Sequence, residues 1–250
     1  MSLVLLDALV DLWLKLMRAT GTLTPLQSQL FPVAVALMRI SKGPREQICR
    51  VIEAYLLLGT PEQAADSAAS LSSAAQVAAT EMSALELRCA LHVSEVAVAL
   101  GPDDTWQGWA PLLVLGAREV FFKAGAQRND ALAAAWFSSL AAISWRTRSP
   151  APLCQILAHV NAANASSGLQ LTEDAVVEQW VQLWDSLVSL ERRRLSCLSL
   201  SALLAVGFTP VAARVVAFLS FASEVVGEEQ DEPHTPPRAV TALQVVATHG

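Results

Sequence analysis

A signal for the start of a helix recurs along this chain, and it constrains the fold more than any other feature. Proline follows Thr, Gly or Ser at positions 25, 44, 61, 102, 150 and 210. Proline suits the first helical turn because its missing amide hydrogen would have no partner there. Asn129-Asp130 and Thr172-Glu173 supply side-chain caps at two further starts. Between the signals, apolar residues recur with the period of an amphipathic helix.

The signals and the periodicity together predict helices joined by short links. The predicted helices are residues 3–18, 24–40, 44–58, 61–79, 82–100, 103–123, 130–145, 150–164, 172–189, 191–206 and 210–226. Two helices per roughly forty residues is the period of stacked helical hairpins. The prediction is an all-α fold, an α-solenoid of about five HEAT-like hairpins (an ARM/HEAT superhelix) over residues 1–226.

The end of the chain has a different composition. Residues 227–238 hold four acids, three prolines and no large apolar residue, which is typical of a disordered loop. The acids Glu228, Glu229, Asp231 and Glu232 could contact a basic cargo segment, although a solvated loop is the commoner explanation. Residues 239–250 are predicted to form a short C-terminal tail.

Apolar residues make up 53% of the chain and charged residues 16%. Two interpretations compete: a membrane protein, or a stack of helical repeats in which neighbouring repeats bury most faces of each helix. The longest stretch without a charge, residues 195–213, approaches the length of a membrane-spanning helix. Gly207 and Thr209-Pro210 within this stretch fit two helices joined by a turn better than one continuous helix. We therefore favour a protein that does not contact a membrane. The N-terminus has no basic region and carries Asp7 and Asp11, so it is not a signal peptide.

The chain shows no pattern typical of a catalytic or cofactor site. The four cysteines are far apart and lack metal-binding spacing, which favours buried, reduced thiols in the cytosol or nucleus. Paired histidines, phosphate loops and nucleophile motifs are missing from the sequence. The net charge of −6 argues against nucleic acid as a ligand. We therefore predict no enzyme, no metal and no cofactor.

Two clusters invite a functional interpretation. Trp180 and Trp184 share one helical face, where core packing is favoured over a ligand groove. Arg192, Arg193 and Arg194 begin a helix, where cations oppose the helix dipole. The three arginines either pair with Asp185 or Glu178 of the preceding helix, which we favour, or bind an acidic partner.

The helix that contains the arginines also carries a resemblance. The run from Glu191 through Leu200 (ERRRLSCLSL), preceded by Trp180 and Trp184, resembles the C-terminal region of importin-eleven-type nuclear transport receptors. These receptors belong to the importin-β (karyopherin-β) superfamily. The segment 7–13 (DALVDLW), Leu23-Thr24-Pro25 and the segment 48–58 (ICRVIEAYLLL) resemble the same family in the same order.

The resemblance implies transport between cytoplasm and nucleus at the nuclear envelope, with protein cargo and Phe-Gly nucleoporins as partners. Such receptors are several times longer, and their contacts with Ran GTPase begin in an N-terminal domain that this chain does not contain. We therefore expect this chain to be a C-terminal part of a receptor. Ran would bind only to the N-terminal region of that receptor, which this chain lacks. The first helix should then expose apolar residues (Leu5, Leu9 and Leu12) and favour self-association.

Two alternatives stay open at this point. One is a cytosolic HEAT scaffold or regulatory subunit unrelated to nuclear transport. The other is an all-α enzyme or membrane-associated protein, since catalytic groups can be assembled from distant positions.

Overall fold

The structure, a computed structural model, describes residues 3–40, 43–122, 129–165, 168–187 and 189–231. Within these ranges all regular secondary structure is helical and no strand occurs. The chain forms two compact units, Met1–Leu112 and Leu113–Gly250. The prediction of an all-α fold is confirmed.

In the first unit, the residues that the structure describes form five helices and the beginning of a sixth. They are α1 (Leu3–Thr20), α2 (Pro25–Ile40), α3 (Arg45–Leu58), α4 (Pro61–Ala79), α5 (Ala84–Leu100) and α6 (Trp106–Phe121). Helix α3 packs between α1 and α5 in one layer, while α2 packs against α4 in a second layer. Helices α1, α3 and α5 begin at residues 3, 45 and 84, a spacing of about forty residues. This arrangement confirms the predicted HEAT-like hairpins.

The predicted start signal holds at α4, and α5 begins with a cap of the same kind that was not predicted. At α4, the side chain of Thr60 accepts a hydrogen bond from the Gln63 amide, and the Gln63 side chain accepts one from the Thr60 amide. Ser83 and Glu86 form the same reciprocal pair at α5. These bonds satisfy amide groups that have no partner inside the helix, and they fix where each helix begins.

The described residues of the second unit form six further α-helices. They are α7 (Asp130–Thr147), α8 (Ala151–Ala163), α9 (Glu173–Gln182), α10 (Leu190–Ala205), α11 (Thr209–Ala212) and α12 (Val215–Asp231). Helix α10 packs extensively on α7 and also contacts α12, while α9 packs against α11. The turn between α10 and α11 contains Gly207 with φ +76°, so the uncharged stretch is two helices and a turn, as predicted.

Two predicted helices are interrupted. The helix predicted over 172–189 ends at Gln182 and continues as a 3₁₀ turn, Trp184–Ser186. Serine competes with the helical backbone for hydrogen bonds, and Ser189 bonds the side chain of Glu191 instead of extending the helix. The helix predicted over 210–226 divides into α11 and α12 at Arg214, whose side chain bonds the Pro210 carbonyl and reaches α9.

Helix α12 continues to Asp231, five residues past the predicted end at Val226. The first residues of the segment predicted to be a loop are therefore helical, because Glu and Gln are good helix formers. Residues 232–250 lie outside the described residues, so the predictions for the rest of the loop and for the tail remain predictions. Across the described helices, none combines the length and the hydropathy that crossing a bilayer requires.

Candidate protein-binding site

A groove lies between α2 and α4 in the first unit. It has a volume of about 680 Å³, and a second pocket of about 220 Å³ shares part of its wall. Phe31, Pro32, Asp66 and Ser67 line both. The two pockets therefore form one continuous surface depression that could take an extended peptide.

Small residues on α4 create this space. The α4 wall consists of Asp66, Ser67, Ala69, Ser70 and Ser73. Neighbouring helices normally interdigitate large side chains, so a wall without them leaves volume unfilled. The alanine- and serine-rich sequence of α4 is uninformative about the repeat type, yet it determines where the groove lies.

A proline in α2, on the opposite wall, removes one hydrogen bond of the helix backbone. Pro32 lies inside α2 and has no amide hydrogen, so the carbonyl of Ser28 lacks the donor four residues later that a regular helix provides. Both residues line the smaller pocket. Ser28 and Phe31 thus lie together on the wall of the smaller pocket, while Val35 lies on the wall of the larger one.

Tyr55 of α3 holds the floor of the groove in place. Its hydroxyl donates to the Gln27 carbonyl of α2 and accepts a hydrogen bond from Trp13 Nε1 of α1 at 3.2 Å. Its ring packs edge-on against Phe31, with 5.1 Å between the ring centroids. Burial raises the pKa of the Tyr55 hydroxyl, so this hydroxyl stays a proton donor at neutral pH. These contacts tie the floor of the groove to α1 and α2.

The rim of the groove carries one charge of each sign, Arg39 on α2 and Asp66 on α4. Both residues are exposed. The lining is otherwise apolar or hydroxylated, which suits an uncharged segment that combines an apolar side chain with free backbone groups.

The arginine cluster predicted from the sequence lies at the N-terminal turn of α10 and is partly exposed. Arg193 Nε donates to the Leu187 carbonyl at 3.0 Å, which ties the cluster to the turn before α10. Glu178, one of the two carboxylates considered as a partner, accepts a hydrogen bond from Arg214 at 3.4 Å. The side chain of Asp185 lies outside the described residues. A role for Arg192, Arg193 and Arg194 in binding stays a prediction.

The rest of the same sequence motif lies in the core of the second unit. Ser196 and Ser199 are fully buried. Trp180 Nε1 donates to Ser196 Oγ at 3.3 Å, and Ser199 Oγ donates to the Ala141 carbonyl of α7 at 2.6 Å. Serine at these positions lets α10 approach α7 closely while satisfying buried polar atoms. The motif that carries the resemblance is thus largely a packing motif.

The tryptophan pairs are core residues, as favoured from the sequence. Trp180 is 1% exposed and Trp184 is 6% exposed. The Trp180 ring stacks on Phe137 of α7 with 5.6 Å between the centroids. The side chains of Glu228, Glu229 and Asp231, and all of Glu232, lie outside the described residues, so their role also stays a prediction.

The four cysteines are free thiols. Cys49, Cys89 and Cys197 are buried and Cys154 is half-buried. Burial raises the pKa of Cys49 well above its ordinary value and raises that of Cys89 to about 11. In the described part of the chain, no group of three or more His, Cys, Asp or Glu residues could hold a metal ion.

We expect the thiol of Cys154 to react slowly with iodoacetamide. Burial, followed by a hydrogen bond with Glu173, raises the pKa of Cys154 to about 11. Because the thiolate is the nucleophile, labelling at pH 7.5 should be on the order of a hundred times slower than for a free cysteine, and should rise about tenfold per pH unit up to pH 10. Mass spectrometry of the alkylated protein measures this rate. Unfolding in urea should restore the ordinary rate, and equally fast labelling of the folded protein would contradict the prediction.

Helical hairpins that stack in two layers in the first unit, with a groove between neighbouring hairpins, define a helical-repeat scaffold. The family described as "Importin-11-like, TPR repeats" matches residues 1–240, and this chain belongs to it. That description counts the hairpins as TPR repeats, whereas the forty-residue spacing of the first unit is closer to the HEAT period. No curated protein and no solved structure matches the chain.

Proposed function

We propose that this chain is the part of a nuclear transport receptor that binds protein partners during import into the nucleus. The family match over residues 1–240 supports this function, because it covers nearly all of the chain. The mechanism is passive: the hairpins present preformed surfaces, and the chain shuttles between cytoplasm and nucleus and acts by binding instead of by catalysis.

The α2–α4 groove is the proposed contact for Phe-Gly nucleoporin segments. An aromatic ring would pack on Pro32 and Val35, and the peptide amide beside it would donate to the Ser28 carbonyl that Pro32 leaves without a helical donor. Glycine next to the ring lets the peptide backbone approach the wall of small residues on α4. Protein cargo would bind elsewhere, and the charged clusters of the second unit are candidates: Arg192, Arg193 and Arg194, and the acids from Glu228 to Glu232.

Fluorescence anisotropy with a labelled Phe-Gly repeat peptide tests the groove. We expect saturable, weak binding that is lost when every Phe is replaced by Ser in the peptide. Ala36→Glu and Ala69→Glu each place a charge in the groove from an exposed position, and each should weaken binding at least tenfold. Both sites are solvent-exposed, so the fold should tolerate the substitutions.

Ala158→Glu is the matched control, since Ala158 is an exposed alanine of α8 in the second unit. It should leave binding unchanged. Equal affinity for the Phe-Gly and Ser-Gly peptides, or no binding at all, would count against nucleoporin contact by this chain. Phe-Gly binding that survives both groove substitutions would move the contact to another surface.

A further inference from the structure

Helix α12 buries one face and leaves an apolar stripe in water on the other. The buried residues are Phe218, Phe221 and Val225, each 4% exposed, and α12 packs on α10. The exposed apolar residues are Val216, Leu219 and Val226, which are 80%, 57% and 53% exposed. Exposed Ser223 lies between the last two, so the steps along this stripe are three, four and three residues. The described residues of the second unit do not cover it.

We propose that residues 239–248 of the same chain (the C-terminal segment) fold back as an amphipathic helix, antiparallel to α12, and cover the exposed stripe from Leu219 to Val226. This inference is independent of the proposed function. It rests on the sequence pattern of the C-terminal segment, the length of the linker and the charge at the end of α12.

The C-terminal segment separates apolar from polar residues at helical spacing. Val240, Leu243 and Ala247 fall on one face, at steps of three and four residues. The polar residues of the same segment fall on a different face, with the same steps: Thr241, Gln244 and Thr248. A helix of this kind buries one face and presents a polar face to solvent, which is what the last element of a helical-repeat stack requires.

The antiparallel register places large residues against small ones. The pairs at successive levels are Val240 with Val226, Leu243 with Ser223, and Ala247 with Leu219. Two packed helices interdigitate best when a large side chain on one meets a small residue on the other. The two larger leucines therefore each meet a small partner, and only the valine pair is of equal size.

The linker between α12 and the C-terminal segment is long enough for this return. Residues 232–238 contain Pro233, Pro236 and Pro237, and α12 cannot continue through them. Asp231 and Ala239 are eight positions apart, a length of chain that spans up to ~26 Å. The register above needs about 12 Å, since the two residues would be roughly 6 Å apart along the helix axis and about 10 Å apart across it.

Charge favours the same direction. The last two turns of α12 carry four acids and no base: Glu224, Glu228, Glu229 and Asp231. The C-terminus of a helix is also the negative end of its dipole. The antiparallel register brings Arg238, which directly precedes the C-terminal segment, to this acidic end of α12.

The tether decides between the chain's own segment and a second copy as the occupant of the stripe. A short flexible linker gives the attached segment an effective concentration on the order of millimolar, about a thousand times the concentration of a protein at 1 µM. A ten-residue helix is marginal in water by itself, so its order depends on the contact with α12. One charge buried in the contact should therefore release the segment.

Disulfide formation in the full chain tests the contact. Ser223→Cys is combined with Leu243→Cys, or with Thr241→Cys as the matched control, in a Cys154→Ser background that leaves only buried native thiols. The two pairs share the same tether, but only position 243 faces the stripe. Oxidised glutathione should therefore join the first pair at least ten times faster than the second. Equal rates, or crosslinks that peptide mass mapping assigns mainly to two different chains, would overturn the proposal.

Amide hydrogen exchange of α12 tests the contact without added cysteines. Leu243→Glu should raise the exchange rate of residues 219–227 at least threefold, because the released segment no longer shields them. Gln244→Glu places the same charge on the polar face of the C-terminal segment and should leave the rate unchanged. No rise with Leu243→Glu, or an equal rise with both variants, would also refute the docking of the segment.

Discussion

Replacing Arg45 with alanine should lower the free energy of unfolding of the first unit by about 3 kcal/mol or more. Arg45 is 1% exposed, and its Nη1 lies 3.4 Å from Glu86 Oε1 and 3.5 Å from the Glu81 carbonyl. The other oxygen of Glu86 accepts the Ser83 amide at the start of α5. Removing the guanidinium leaves a largely buried carboxylate without its cation, next to a helix cap. Urea denaturation followed by circular dichroism, with hydrogen exchange to localise the effect, measures the loss.

A double substitution separates the ion pair from the packing. Glu86→Gln keeps an oxygen for the Ser83 amide and removes the charge, so Arg45→Met combined with Glu86→Gln should recover much of the lost stability. Arg50→Ala is the control, since Arg50 is half-exposed and pairs with Glu46 at 2.7 Å on the helix surface. It should cost less than about 1 kcal/mol. An Arg45→Ala variant no less stable than Arg50→Ala would show that the pair contributes little.

Truncation of Trp180 to alanine should destabilise the second unit by about 3–5 kcal/mol. The indole is buried, stacks on Phe137 of α7 and donates to Ser196 of α10, so one side chain joins three helices. Its loss leaves a large cavity and an unpaired hydroxyl in the core. Thermal and urea unfolding, with hydrogen exchange of α7 and α10, measure the change.

Two further variants divide this effect into its parts. Trp180→Phe keeps most of the apolar volume and loses the hydrogen bond to Ser196, so it should cost only a part of the alanine effect. Trp145→Ala is the control, because Trp145 is partly exposed and its ring lies against the Arg148 guanidinium, which is 4.5 Å from the ring centroid. A loss at Trp180 as small as the loss at Trp145 would mean that α9 is dispensable for the core, and that Trp180 is available for a ligand.

The helix starts could be predicted from the sequence because their signals are local. Thr60 and Gln63 of α4 bond each other within three residues, and Asn129 and Thr172 each accept an amide three residues later at the start of α7 and α9, so the chain needs no distant partner to fix these positions. Helix interruptions were predicted less well. The break at Arg214 depends on Asp174, forty residues earlier, and a local pattern does not contain that contact.

The candidate site was missed for the same reason. Nothing in the sequence of α2 alone indicates that Pro32 faces a wall of small residues on α4. The two helices are separated in the chain by α3, and only the folded unit brings them side by side. The clusters that stood out in the sequence were charged or aromatic. Of these, the tryptophans belong to the core, and the motif around Ser196 and Ser199 serves close helix packing.

The sequence by itself determined the all-α class and the forty-residue repeat, because these follow from periodicity and capping within a few turns, and its motifs carried the resemblance to the family. The tertiary structure alone decided which of the two apolar stripes of α1 is buried, since both stripes have helical spacing. Val10, Leu14 and Met17 are covered in the packed unit, and Leu5, Leu9, Leu12 and Leu16 remain in water. The choice depends on long-range contacts with residues such as Tyr55, which only the folded chain brings to α1.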